Sequence, residues 1–210
     1  MFMLRHRIHA TLGKEAEVRA FMSDWIRHAQ EQGESAALAQ RIFSSEGPVL
    51  VVARRYEDLA ALDARRRANQ ADADWQARVA KLSTMIHEPV RQTLEESLVP
   101  PIPETAPIGI VLRAFFQPAV GKISQVRATL EEHVRSEQAA GRGQIGLFQH
   151  VFSETGAMFT ITATHTDLTE LARLRQARAA AVQATTAAVG EMSRAPIAVR
   201  LLEVVVPFPS

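Results

Sequence analysis

Cysteine is absent from this chain of 210 residues, and that one absence removes disulfides, thiolate nucleophiles and cysteine-ligated zinc together. Net charge is nearly absent too: 24 Lys and Arg against 23 Asp and Glu leave a formal +1, with the two signs interspersed. No electrostatic footprint for nucleic acid or an anionic membrane follows from such a balance. Aromatics are scarce, with one tyrosine, two tryptophans and nine phenylalanines, and the one basic triplet, Arg65-Arg66-Arg67, has none interleaved as an RNA surface requires. Long apolar runs are missing as well. Nothing approaches the roughly 18 apolar residues of a membrane span, and Arg5, His6 and Arg7 interrupt what would have to be the apolar core of a signal peptide. The expectation is a soluble, cytoplasmic protein with no nucleic-acid and no membrane partner.

Catalytic and metal motifs are equally sparse. The seven histidines, His6, His9, His28, His87, His133, His150 and His165, form no HExxH, no helical pair at i and i+4, and no His-x-His on a strand. His6 and His9, three apart on a strand, face opposite sides. No Gly-x-Ser-x-Gly elbow exists. Gly13-Lys14 and Gly141-Arg142-Gly143 lack the glycine spacing of a phosphate loop and read as turns. No metal site and no cofactor are expected.

What is present is an echo. Leu4, Arg5, Gly13, Lys14, Val18, Arg19, Ala20, Gln30 and Gly33 are matched at one constant offset by Leu112, Arg113, Gly121, Lys122, Val126, Arg127, Ala128, Gln138 and Gly141. One inserted residue later, Gln40, Phe43, Ser44, Gly47, Asp58, Leu59, Leu62, Arg66 and Ala68 meet Gln149, Phe152, Ser153, Gly156, Asp167, Leu168, Leu171, Arg175 and Ala177. Met85, Pro89, Leu94, Glu96, Val99 and Pro100 then meet Met192, Pro196, Leu201, Glu203, Val206 and Pro207. The period far exceeds the 20 to 50 residues of solenoid repeats, so each copy is domain-sized. The domains expected are 1–100 and 108–210, joined by a stiff proline-rich linker, 101–107, with Pro101, Pro103 and Pro107.

Within the first copy, Phe2 to His9 alternates as a strand. Lys14 to Gln32 carries Val18, Phe21, Met22, Trp25 and Ala29 at helical spacing, with Gly33 as its stop. Leu38 to Ser45 and Pro48 to Tyr56 read as a hairpin around Glu46-Gly47. Asp58 to Ile86 is helical with a break between Asn69 and Asp74, and Val90 to Val99 is a last strand. The second copy repeats the order from Ile108, with helices over Ile123 to Ala140 and Asp167 to Met192. Strand, helix, strand, strand, helix, strand is the ferredoxin-like βαββαβ order. Each four-stranded sheet has one face to cover, so the expected fold is α+β: two tandem ferredoxin-like domains packed sheet to sheet as a barrel within one chain.

The arrangement resembles the dimeric α+β barrel superfamily written twice. Within it, Val51 to Trp75 resembles the NIPSNAP family, with Tyr56, Leu59, Arg66, Asp72 and Trp75 at the places of its aromatic, leucine, arginine and Asp-Pro-x-Trp positions. Leu12-Gly13-Lys14 and Pro118 to Lys122 are similar to the family's Pro-Gly-Lys turn. Asp58, Leu62, Ala73 and Arg54 depart from the pattern, and the second copy has His165 and Ala184 in place of Tyr56 and Trp75. The resemblance implies a module that binds a small molecule or protein partner. The wider superfamily implies an alternative, a cofactor-independent monooxygenase or isomerase acting on an aromatic or quinone-like substrate. A homodimer of the duplicated chain is a further partner the resemblance allows.

Seven residues are candidates to line a ligand pocket: Arg5, His6, Tyr56, Trp75, His87, Arg113 and His165. The equivalent arginines Arg5 and Arg113 can hold a carboxylate or phenolate, or pair with Glu96 and Glu203 on the fourth strands. Tyr56 can donate a phenolic proton and Trp75 can form a pocket wall, although it also sits on an apolar helical stripe with Val79, Leu82 and Ile86. His87, just before Glu88-Pro89, resembles with Asn69 and Trp75 the Asn, Trp and His set of haem-degrading barrel enzymes. Positions where the copies differ, His6 against Ala114 and Tyr56 against His165, are where an activity is expected.

Overall fold

The computed structural model describes residues 1–43, 47–102, 107–141, 144–151 and 156–209. Glu46 of the expected hairpin turn, Pro103 of the linker, Arg142-Gly143, and the matched Ser44, Phe152 and Ser153 lie outside these residues. The elements run β1 (Phe2–His9), α1 (Glu15–Glu31), β2 (Ala36–Ile42), β3 (Val49–Tyr56), α2 (Leu59–Ala71), α3 (Ala73–Ser83) and β4 (Arg91–Val99). The second seven repeat the types of the first: β5 (Ile110–Phe116), α4 (Ile123–Ala139), β6 (Ile145–His150), β7 (Phe159–His165), α5 (Leu168–Ala177), α6 (Ala179–Glu191) and β8 (Ala198–Val206). The fold is α+β. Of the two helical breaks, the first falls at Asp72, inside the expected window, whereas the stretch read as one helix from Asp167 to Met192 breaks at Arg178.

The chain forms two compact units, one of residues 1–94 and 204–210, the other of residues 95–203. In the first, β3 lies between β1 and β2, antiparallel to both, and directly opposite residues share a face. Phe2, Leu4, His6 and Ile8 therefore stand on the face of Tyr56, Arg54, Val52 and Leu50. That face meets the helices: Ile8, Leu38, Leu50 and Val52 form one core with Val18, Met22, Trp25 and Ile26 of α1, Leu82 of α3, and Val206. Full burial of such aliphatic side chains contributes roughly 1.5–3 kcal/mol each.

In the second unit the antiparallel order is β4-β6-β7-β5-β8. Phe116, Leu147, Phe159 and Ile161 meet Val126, Leu130 and Val134 of α4 in its core, together with Val99. Strands β4 and β8 thus each begin in one unit and end in the other. The matched glutamines anchor these ends alike. Gln30 donates its amide to Ala36 O and Pro207 O, both at 2.7 Å, and Gln138 donates to Ile145 O at 2.7 Å and Pro100 O at 2.9 Å. At Gly146 the chain leaving β4 comes so close that an added Cβ would lie 2.9 Å from Pro101 Cδ, so only glycine fits beside that exit.

Candidate functional site

Charge on the helix-facing side of a buried strand demands a local partner, and Arg54 on β3 has one. Its guanidinium, 5% exposed, lies with Nε 3.3 Å from Oε2 of Glu34, in the loop after α1. Glu34 Oε1 accepts from Arg65 of α2, so one carboxylate is shared by two arginines. Arg65 therefore turns inward, whereas Arg66 and Arg67 pair with Asp63 on the helix surface. The Arg54 guanidinium also sits 5.0 Å over the Trp75 ring. Trp75 meets Trp25 edge-on at 4.8 Å, and Trp25 meets Phe21 at 5.8 Å.

Local sequence fixes Trp75 in this place. The Asp72 carboxylate ends the break between α2 and α3 by accepting from Asp74 N at 2.9 Å and Trp75 N at 3.2 Å, as an N-cap. The spacing Asp-x-x-Trp is thus a capping geometry that sets the indole one turn into α3. Asp58 does the same for α2 through Ala61 N at 2.7 Å. Of the apolar stripe, Leu82 is buried and Val79 is exposed.

Electrostatics in this space follow from burial. His6 has its pKa lowered to about 4, first by loss of solvation and then by the Arg54 charge, so its imidazole is neutral at physiological pH. Burial likewise holds the Tyr56 phenol above its ordinary value, with Arg54 pulling the other way, and Tyr56 keeps its proton. Asn69, on the last turn of α2, has its side-chain Oδ1 buried with no hydrogen-bond partner among the described residues. A neutral imidazole, a protonated phenol and an indole thus gather around one buried cation on the helix-facing side of β1 and β3.

The corresponding space in the second unit is built differently. Ala163 stands at the Arg54 position, the buried His165 at that of Tyr56, and exposed Ala184 at that of Trp75. A buried ion pair comes from other elements, Arg178 Nε lying 3.1 Å from Glu137 Oε2 of α4. His165 is kept from protonating chiefly by burial, with Glu170 opposing and Arg178 adding to the effect.

The seven candidates fall in five places. His6, Tyr56 and Trp75 come together around Arg54. Arg5, opposite Ala53 in register, lies on the other face of the first sheet. His87 sits at the far end of β1, with Nδ1 3.0 Å from Ala10 O, beside His9 and Glu88. Arg113, opposite Thr162, lies on the face of the second sheet away from the α4 core, and His165 on the α4 side. Arg113 pairs with neither Glu96 nor Glu203, both exposed; its partner is Glu95, which is fully buried and whose Oε1 is 3.1 Å from His150 Nε2. Strand alternation turns Glu95, not its neighbour, to that face. Sequence patterning missed Glu34 and the role of Arg54. The available signal was strand alternation, which puts Arg54 on the same face as Leu50 and Val52.

No family model matches the chain, and no curated protein does. Solved structures do. A candidate monooxygenase of Fusobacterium nucleatum superposes with a TM-score of 0.75 at 10% identity, covering 97% of this chain and 92% of that one. An anthrone oxidase-like protein gives 0.69 at 12% identity over 97% and 91% of the two chains, and a heme-degrading enzyme of Listeria monocytogenes 0.54 at 8% over 97% and 99%. At these identities the likeness shows the fold, α+β with ferredoxin-like neighbours.

Proposed function

We propose that the first unit binds an aromatic, quinol-like or anthrone-like substrate between its sheet and the α2–α3 pair and promotes its oxygenation by molecular oxygen. The observation that carries this reading is the set of His6, Tyr56 and Trp75 gathered around Arg54 on one side of the sheet, with the unsatisfied Asn69 amide on the neighbouring α2. Trp75 offers a face for ring stacking. Asn69 Oδ1 can accept from a substrate hydroxyl, and the Arg54 cation stabilises the phenolate or enolate formed when that substrate loses a proton. His6, neutral, can accept a hydrogen bond from that substrate hydroxyl, and the proton leaves with the water that forms. For a methylene activated by flanking rings, the net change replaces its two hydrogens by one oxygen of O2, the other leaving as water; the substrate supplies the electrons. Fold neighbours assigned as monooxygenase, anthrone oxidase-like and heme-degrading proteins support this chemistry over a purely binding role.

We further infer that the chain is a tandem duplication of one βαββαβ unit, supported by the repeated element order and the paired Gln30 and Gln138 anchors. Oxygen uptake with anthrone and hydroquinone substrates tests the activity. The unmodified chain is expected to consume O2 stoichiometrically with substrate, and Asn69→Ala and Trp75→Leu to lower kcat/KM at least about tenfold, as loss of a positioned polar or stacking contact does. Saturable binding of these compounds without any O2 uptake would replace the oxygenase reading by the binding module that the NIPSNAP resemblance implies.

A further inference from the structure

A second cluster lies at the end of β1, outside the space around Arg54. The segment after α3 runs back along the end of β1. Thr11 N donates to Met85 O at 2.9 Å, Ala10 and Ile86 form an antiparallel bridge, and His87 N donates to His9 O at 3.3 Å. This pairing brings His9 against His87-Glu88, a contact that no spacing in the linear sequence announces. The ligand atoms of His9, His87 and Glu88 all lie within 4.8 Å of one another.

From this geometry we propose that His9, His87 and Glu88 form a mononuclear site for a divalent transition-metal ion of the zinc type. Two imidazoles and one carboxylate are a known zinc-binding set that leaves a fourth position open. Bonds of about 2.0–2.1 Å in tetrahedral array put ligand atoms roughly 3.3 Å apart. His9 Nε2 and Glu88 Oε1 are already 3.1 Å apart, and the His9 and His87 rings meet edge-on with centroids at 5.7 Å, so side-chain rotation alone closes the set.

The surroundings are those that orient metal ligands. His87 Nδ1 is 3.0 Å from Ala10 O, a carbonyl that can only accept, so Nδ1 carries the proton and Nε2 is left with its lone pair. Glu88 Oε2 accepts from Arg91 Nη2 at 2.9 Å, which leaves Oε1 turned toward His9. Burial of His9 and exposure of His87 give the ion a fixed floor and an open entry. A His9–Glu88 ion pair alone would account for one of these contacts, not for the anchored His87 ring beside it. The proposal is independent of the oxygenase reading.

The test uses the full chain after chelator treatment. Zn2+ is titrated by calorimetry, and Co2+ is added to a parallel sample for its visible absorption. One Zn2+ per chain is expected, with a tetrahedral cobalt spectrum and a higher unfolding temperature when zinc is present. His87→Ala and Glu88→Gln are each expected to weaken binding at least about tenfold and to abolish the zinc-dependent thermal shift. His28→Ala, at an exposed histidine beside Glu31, should leave both unchanged. No zinc uptake by the unmodified chain, or uptake that survives both substitutions at the cluster, would overturn the proposal.

Discussion

Arg54 and His6 illustrate how a buried cation bears on the charge of its neighbour. The cation is retained because Glu34 neutralises it, and its presence together with burial keeps His6 unprotonated until about pH 4. In the unfolded chain a histidine takes up its proton near pH 6.5. Between those values the unfolded state binds more protons, so stability rises with pH across that window and is lost on acidification through it. The shift corresponds to at most about 3 kcal/mol by the usual conversion. Urea unfolding at pH about 4.5 and about 7 should therefore show a larger loss for the native chain than for His6→Gln. Equal losses would mean that His6 is hydrated in the folded state. Arg113 presents the opposite case, a cation whose partner Glu95 has no exposure at all. Removing one member of a buried pair strands the other, at a cost of about 3–5 kcal/mol, so Arg113→Met should be strongly destabilising in equilibrium unfolding. Glu95→Leu combined with it should restore most of the loss. A marginal effect of the single change would show that water reaches Glu95.

Elements were legible in the sequence wherever one periodicity ran uninterrupted. Trp25 among Val18 and Met22 marks α1, and the charge-free run from Val49 to Ala53 marks a strand buried on both faces. The break between α2 and α3 was legible because Asp72 is a cap residue between two helical patterns. The break at Arg178 carries no proline, glycine or side-chain cap; Arg178 pairs there with the buried Glu137, a contact that only the folded chain creates. Asp72→Ala tests the capping origin of the first break. It should cost about 1 kcal/mol in unfolding free energy and shift the Trp75 contribution to the fluorescence to longer wavelength as the indole loses its place. An unchanged emission spectrum would show that packing against Trp25 alone holds Trp75. Strand exchange was illegible for a different reason. Alternation tells which face a residue takes but not which neighbour a strand takes, so nothing in Arg91–Val99 announced that its second half pairs with β6.

At the scale of the whole molecule, the positions matched between the two stretches supply cores, caps and anchors, and positions that differ hold the candidate chemistry. Gln30 with Gln138 and Asp58 with Asp167 do the same structural work twice. Arg54, Tyr56 and Trp75 have no chemical counterpart in Ala163, His165 and Ala184. His6, Tyr56 and Trp75 were found from the sequence by that comparison; Glu34 was not, since a loop acid becomes meaningful only when β3 and α2 bring two arginines to it. The proposed function predicts one substrate site per chain. The most direct measurement is an anaerobic titration of the full chain with a quinol- or anthrone-type ligand, read by tryptophan fluorescence, for which Trp25 and Trp75 are the only emitters. One ligand per chain, with affinity lowered at least about tenfold by Asn69→Ala and left intact by His165→Ala, is the predicted result. Two equivalent sites, or a single site insensitive to Asn69→Ala and lost with His165→Ala, would contradict it.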